Sequence, residues 1–226
     1  MNLIERTYKQ YSDCSLCDLH LSRKCVAFGN GNKDADILIV KSKPTELEDS
    51  YGSYLTGDLR FLVQCYQKAL KTRESLDSCG ERLLKCSFIT SSVICRPAYI
   101  EGAYLGQDRK VQAKEINRCS DRLLKTVYGV DPKVIIAFGS DAVATFKANC
   151  PNKDLKPRLT GEINEMFKAH VPGVYSPVPY SVIPAPDLYF AEVTGDYDYE
   201  AGKVASVVRA LSNATTLVHR LYKEDS

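Results

Sequence analysis

Nine cysteines are the residues whose type and spacing most directly suggest chemistry in this chain. Cys14 and Cys17 form a C-x-x-C pair, and two thiolates at this spacing can reach one metal centre from a single turn. Cys95 follows a predicted strand and Cys119 lies inside the next predicted helix, so these two are candidates to complete a four-thiolate site. Such a set suits an iron–sulfur cluster or zinc. The remaining cysteines are expected to be small buried apolar residues: Cys25, Cys65, Cys79, Cys86 and Cys150.

The composition is that of a globular protein without a strong overall charge. One hydrophobic core can still support 226 residues, so we expect a single domain over 1–226 with a frayed tail at 223–226. A net charge of +2 requires any DNA contact to come from a local basic surface. The sequence has no apolar run of the roughly 18 residues that a membrane span needs, and residues 1–10 lack a signal-peptide core. We therefore expect no membrane partner, no secretion, reduced cysteines, and a cytoplasmic or nucleoid-associated protein.

The elements that must position these residues follow from the apolar pattern. Buried strands are predicted over 35–40, 87–93, 133–138 and 180–184. Helices are predicted over 58–72, 114–128, 140–148 and 199–222, with Ser140 as the N-cap of the third.

Strands that alternate with helices predict an α/β fold. We expect a three-layer α/β/α sandwich around a short, mainly parallel, four-stranded sheet. The first and third predicted strands are continuously apolar, as expected when helices cover both faces of a sheet. Ligand sites in such folds lie beyond the carboxyl ends of the strands, so functional residues are sought just after each strand.

An ordered series of motifs resembles the iron–sulfur, family-four uracil-DNA glycosylases. The motifs are Cys14-x-x-Cys17-x-Leu19, Arg23, Gly29-x-Gly31, Ala35-Asp36-Ile37-Leu38-Ile39-Val40, Glu48-Asp49, Gly52, Gly57, Cys95-Arg96-Pro97, Glu115-x-x-x-Cys119 and, more weakly, Ile183-Pro184-Ala185. The resemblance implies a [4Fe-4S] cluster on Cys14, Cys17, Cys95 and Cys119, with zinc as the minor alternative. It also implies a uracil-DNA glycosylase-like fold.

The same resemblance implies that the residues of base excision are degenerate. The family's acid falls on Ser42, and the aromatic residue on which uracil stacks falls on Leu55, with Tyr54 beside it as a substitute. The asparagine that reads the base edge falls on Ser91, and the histidine that stabilises the departing base falls on Ile183. With no catalytic residue intact, conventional uracil excision is not expected.

Basic residues surround both predicted sites. Lys41 and Lys43 flank Ser42, where a cation at about 4 Å opposes an oxocarbenium-like transition state by about 4 kcal/mol at an effective dielectric constant of about 20. That is roughly a thousandfold in rate. Both lysines are candidates for phosphate binding, with a solvated loop as the alternative. The other DNA-contact candidates are Arg23, Arg96 and Lys114.

We therefore expect a non-catalytic protein of glycosylase fold that binds single- or double-stranded DNA, or joins a replication or repair assembly. Loss of chemistry with retention of the scaffold resembles what is seen in some viruses, where glycosylase-like folds act as replication components, so a viral source belongs to this expectation. One alternative is an active glycosylase of altered base specificity, which would flip a modified base into a pocket where Glu46, Glu48 or Asp49 is a displaced acid. Against it, Glu48 and Asp49 are interpreted as retained scaffold. A second alternative is an iron–sulfur interaction or redox protein that does not act on DNA.

Overall fold

The computed structural model describes residues 1–52, 58–148, 150–152, 154–170, 179–188 and 197–224. The helices in these ranges are α1 (Leu3–Tyr11), α2 (Leu19–Ser22), α3 (Glu46–Tyr51), α4 (Asp58–Leu70), α5 (Leu76–Cys86), α6 (Ala113–Val130), α7 (Ser140–Lys147) and α8 (Tyr197–Glu224). The strands are β1 (Asn30–Gly31), β2 (Ile37–Lys41), β3 (Ser87–Ser91), β4 (Val134–Phe138), β5 (Phe167–Ala169) and β6 (Tyr180–Ala185).

The strands form one sheet in the order β1-β3-β2-β4-β6-β5. The four central strands pair in parallel, which confirms the predicted mainly parallel sheet. The predicted number of strands is wrong, because β1 and β5 add a short antiparallel strand at each edge. Strands of two and three residues are too short to show the alternation of side chains from which strands are predicted.

Helices cover both faces of the sheet, which confirms the predicted α/β/α sandwich. Successive residues of β2 alternate between two cores: Ile39 belongs to the core beneath α4, α5 and α8, and Leu38 to the core beneath α6 and α7. Both side chains are fully buried. Burial of each is worth about 1.5–3 kcal/mol, which explains why this strand is apolar without interruption.

Two predicted helix ends differ from the structure. The N-cap of α7 is Gly139 rather than Ser140, and its φ of 87° is a conformation that L side chains rarely adopt. A Cβ atom at Gly139 would lie 2.5 Å from Ser42 Oγ, so the close approach of these two segments also requires glycine. At the other end of the chain, α8 continues to Glu224, so the first two residues of the predicted frayed tail are helical.

Among the helices that the structure describes, none combines the length and the apolar character that crossing a bilayer requires.

Candidate functional site

A small pocket brings the four predicted cysteine ligands together. Cys14 follows α1, Cys17 precedes α2, Cys95 follows β3, and Cys119 lies on α6. We call this the cysteine pocket. Its other lining residues are mostly apolar or basic: Tyr11, Leu16, Leu19, His20, Arg23, Val93, Ile94 and Arg118. Of the five cysteines predicted to be simple core residues, three are buried and two are half-buried, and none lines this pocket.

Local capping and one long-range hydrogen bond fix the geometry of the pocket. Asn2 and Glu5 cap α1 reciprocally, with Glu5 N donating to Asn2 Oδ1 at 2.9 Å. At the other end of this helix, Tyr11 Oη donates to Asp121 Oδ2 on α6 at 2.5 Å. Cys14 is thereby held close to the helix that carries Cys119.

The pocket favours neutral thiols when no metal is bound. Burial raises the pKa of Cys95 to about 11, against the hydrogen bond from Arg23, and burial also raises the pKa of Cys17. Metal ligation requires the thiolate form, so a bound metal would displace these protons.

The chemistry of the donor set fits an iron–sulfur cluster. The cysteine pocket offers four thiol groups, which as thiolates are the usual ligands of a [4Fe-4S] cluster and also suit zinc. Within the described residues, no group of three or more Cys, His, Asp or Glu side chains is arranged to hold a single metal ion.

A second site lies where the carboxyl ends of β2, β4 and β6 meet. Ser42 is buried, and its Oγ donates to Asp187 Oδ2 at 3.0 Å, beside Gly139. Burial and the nearby Asp187 raise the pKa of Asp141, which opens α7. We call the group of Lys41, Ser42, Lys43, Asp141 and Asp187 the strand-end site.

Lys41 forms a buried ion pair within the protein. Its Nζ donates to the two carboxylate oxygens of Glu48 at 2.7 and 2.8 Å, and both side chains are almost fully buried. Glu48 also accepts a hydrogen bond from Thr45 N at 2.8 Å in the capping box of α3. The charge of Lys41 is thus paired with Glu48 inside the protein, and a contact between Lys41 and DNA stays a prediction. The interpretation of Glu48 as scaffold agrees with this geometry.

Lys43 and Arg96 share a carboxylate from the loop after β3. Lys43 Nζ donates to Asp108 Oδ2 and Arg96 Nε to Asp108 Oδ1, each at 2.5 Å. Arg96 also donates to Gly106 O at 3.0 Å and lies 3.5 Å from Glu46 Oε2. Burial opposes ionisation of Asp108, but the two cations hold its pKa below its usual value. Lys43 and Arg96 are thus both paired with carboxylates of the protein, and the Arg96 side chain is buried. Contacts of these two residues with DNA stay predictions.

Of the other two predicted DNA contacts, Arg23 lies in the cysteine pocket and Lys114 lies on the exposed surface of α6. Arg23 Nη1 donates to Cys14 O at 2.5 Å and to Cys95 Sγ at 3.3 Å, so it serves the cysteine pocket. Lys114 is exposed, and its Nζ lies 3.2 Å from Asp18 Oδ2 in a pair whose two side chains are both largely in solvent.

Three of the expected degenerate residues lie in the described part of the chain. Ser42 follows β2 directly and Ser91 is the last residue of β3, and both are buried. Ile183 does not lie at the strand end: it pairs with Ile136 in the middle of the sheet and is fully buried. The first ionisable side chain after β6 is Asp187, two residues beyond the end of the strand. Leu55 and its proposed substitute Tyr54 lie outside the described residues.

Sequence reasoning missed two residues that the sites depend on. Asp187 follows the last central strand within a few residues, so the rule that sites follow strands could have found it. Arg122 is fully buried on α6, three residues after Cys119 and one before the buried Leu123. Its place on the apolar stripe of an amphipathic helix was a signal in the sequence.

The fold and the two sites define a class: a doubly wound α/β protein with a four-cysteine pocket beside a polar site at its strand ends. The family model described as the uracil DNA glycosylase superfamily matches residues 28–196, which is more than half of the chain. The chain therefore belongs to the uracil-DNA glycosylase superfamily.

Curated relatives carry a more specific description. The chain is 30% identical to a type-4 uracil-DNA glycosylase of Thermotoga maritima over 144 residues, which cover 64% of this chain and 66% of that protein. It is 25% identical to a type-4 uracil-DNA glycosylase of Archaeoglobus fulgidus over 213 residues, which cover 92% of this chain and 94% of that protein. The match thus spans slightly less than two thirds of the first relative and nearly all of the second.

Proposed function

We propose that this chain is a non-catalytic member of the superfamily that carries a [4Fe-4S] cluster and binds DNA within a repair or replication assembly. Cys14, Cys17, Cys95 and Cys119 would hold the cluster. The observation that carries the proposal is that these cysteines, from three separate parts of the chain, line one pocket. When bound, the cluster would act as a structural staple between α1, α2, α6 and the segment after β3.

A local basic stripe supports the DNA-binding part of the proposal. Lys114 and Arg118 are exposed and lie one turn apart on α6, and the exposed Lys110 lies three residues before the helix begins. Arg118 also lines the cysteine pocket, so the stripe runs beside the proposed cluster. Exposed cations in a row suit the phosphates of a DNA strand, and such contacts bind without reading sequence. The relatives' description as DNA glycosylases agrees with a DNA ligand.

The strand-end site supports the loss of conventional base excision. Ser42 stands where the family's acid is expected, and Ser91 is buried, so its hydroxyl is not available to read a base edge. Lys41 and Lys43 do not contribute to this loss through their charge, because Glu48 and Asp108 neutralise the two lysines.

DNA retention by the iron-loaded protein tests this function. We expect binding to single- or double-stranded oligonucleotides that weakens steeply with salt, because phosphate contacts release counterions. The triple variant K110A/K114A/R118A should bind more weakly, whereas Lys85→Ala on α5, an exposed lysine on the opposite layer, should not. Absence of DNA binding by the iron-loaded protein at low salt would contradict the proposal and favour a redox or interaction protein.

A second candidate function, excision of a modified base, is favoured by Asp187. Its carboxylate lies at the strand-end site and accepts a hydrogen bond from Ser42. A carboxylate there could accept a proton from water and offset positive charge on the sugar. The pocket would then be rebuilt around a new acid.

Base release separates the two candidates. Oligonucleotides that carry uracil, hypoxanthine, xanthine or hydroxymethyluracil are incubated with iron-loaded protein, and DNA retention is recorded on the same samples. Retention without release supports the first function. If the wild type releases a base, and Asp187→Asn lowers that release by about a hundredfold or more with DNA retention unchanged, the second function is established.

A further inference from the structure

Arg122 is a fully buried cation beside the cysteine pocket. Its Nη1 donates to Thr90 Oγ1 at 3.0 Å, and its Nη2 donates to the carbonyl oxygens of Ser91 at 2.5 Å and Ser92 at 3.1 Å. Its Nε is buried without a hydrogen-bond partner. All of these oxygen acceptors are uncharged.

A buried guanidinium normally requires an opposite charge. Through the described ranges, no carboxylate makes an ion pair with Arg122. An ion buried without such a partner is strongly destabilising, so the fold is expected to supply a negative group. The nearest candidate is Cys119 Sγ, which lies 3.8 Å from Arg122 Nη2.

The cysteine pocket has a second arginine in the same relation to a sulfur. Arg23 Nη1 lies 3.3 Å from Cys95 Sγ. Two of the four proposed ligands therefore each have a guanidinium donor. The two arginines come from separate elements, since Arg23 is the C-cap of α2 and Arg122 lies on α6. Neutral thiols give little reason for this arrangement, whereas thiolates on a metal cluster do.

We infer that Arg122 is the buried counter-charge of the cluster proposed in the cysteine pocket. This inference rests on the proposed cluster. A cubane with four thiolate ligands carries net negative charge, and N–H groups directed at its sulfurs favour the reduced, more negative state. Arg122 therefore raises the reduction potential, and Arg23 adds to the effect.

The same residue links the cluster to the strand-end site. Arg122 holds the carbonyl groups of Ser91 and Ser92 at the end of β3, and Ser92 N donates to Lys41 O at 2.8 Å. Without a cluster, the charge of Arg122 would be left with uncharged oxygens alone. Loss of the cluster is thus expected to loosen the end of β3, where Ser91 and Lys41 pair.

Reduction potential and melting temperature test the inference together. Arg122→Met removes the charge at similar length, and Arg122→Lys keeps it; Arg209→Met, on α8 in the opposite layer, is the matched control. Each protein is measured by iron content, by redox titration of the cluster, and by Tm with the cluster loaded and after its removal by chelation. Arg122→Gln serves if the Met variant does not fold.

We expect a more negative potential in Arg122→Met than in the wild type, with Arg122→Lys between them and Arg209→Met unchanged. We also expect the Tm gap between loaded and cluster-free protein to narrow in Arg122→Met, because its cluster-free form no longer buries an uncompensated charge. If cluster-loaded Arg122→Met has the reduction potential of the wild type and the same Tm difference between loaded and cluster-free protein, the inference about Arg122 is overturned, while the proposed cluster stands. A wild type that binds no iron overturns the proposed cluster as well.

Discussion

The cysteine pocket and the strand-end site differ in how their polar groups are arranged. In the cysteine pocket, four cysteines from separate elements converge, and two arginines approach their sulfurs. At the strand-end site, the lysines that seemed available for a ligand are neutralised by carboxylates of the same protein. The first region thus combines thiol groups with nearby cations, and the second contains lysines whose charges are paired within the protein. The difference agrees with the proposal that the first region binds a cluster and that the second does not perform conventional base excision.

The largest effect should come from Cys95→Ser. Loss of one thiolate should release the cluster, abolish bound iron and lower the free energy of unfolding by more than about 3 kcal/mol. Iron analysis and urea denaturation measure both quantities. Cys25→Ser, at a half-buried cysteine outside the pocket, is the control. Iron content and melting like those of the wild type in Cys95→Ser would remove this cysteine from the ligand set.

The buried pair at the strand-end site should give the next largest effect. Lys41→Met leaves Glu48 buried without its counter-charge and should destabilise the protein by about 3–5 kcal/mol. The double variant K41M/E48Q should recover a large part of this loss, as measured by chemical denaturation. If Lys41→Met proves nearly neutral in stability but weakens DNA binding, Lys41 acts on the ligand after all.

Asp108→Asn should have a smaller, pH-dependent effect. Its pKa is lowered in the folded protein by Lys43 and Arg96, so its contribution is present above the unfolded pKa of about 3.9 and is lost as pH falls through the folded value. At neutral pH we expect a loss of about 2 kcal/mol. The gap in stability between wild type and variant should shrink in acid below about pH 4. A gap that stays constant across that range would mean that Asp108 acts through packing rather than charge.

Lys114→Ala should give the smallest effect on stability and a selective effect on DNA. The pair with Asp18 is exposed, so the free energy of unfolding should change by less than about 0.5 kcal/mol. In a plot of log affinity against log salt concentration, the slope should fall by about one. Lys85→Ala should leave that slope unchanged. If the salt dependence of DNA binding has the same slope in Lys114→Ala and Lys85→Ala, the DNA-binding surface does not include Lys114.

Much of the fold was predictable because the central strands and main helices bury continuous or periodic apolar residues. The prediction failed for β1 and β5, whose pairing depends on backbone hydrogen bonds at the sheet edges rather than on side-chain pattern. The last central strand was predicted over 180–184, one residue shorter than in the structure, because the motif alone does not fix where a strand ends. The strand continues to Ala185, which buries Ile183 and leaves Asp187 as the first ionisable residue beyond it.

The sequence by itself determined the α/β class, the family and the four cysteines that would hold a cluster, because apolar period and motif order are local properties of the chain. Only the tertiary structure decided which charged and polar side chains are paired with one another inside the protein. Lys41 meets Glu48 seven residues away, Lys43 meets Asp108 after 65 residues, and Ser42 meets Asp187 after 145. Coulomb and hydrogen-bond energies depend on distance and burial in space, so a charge that appears available in the sequence can be neutralised once the chain folds.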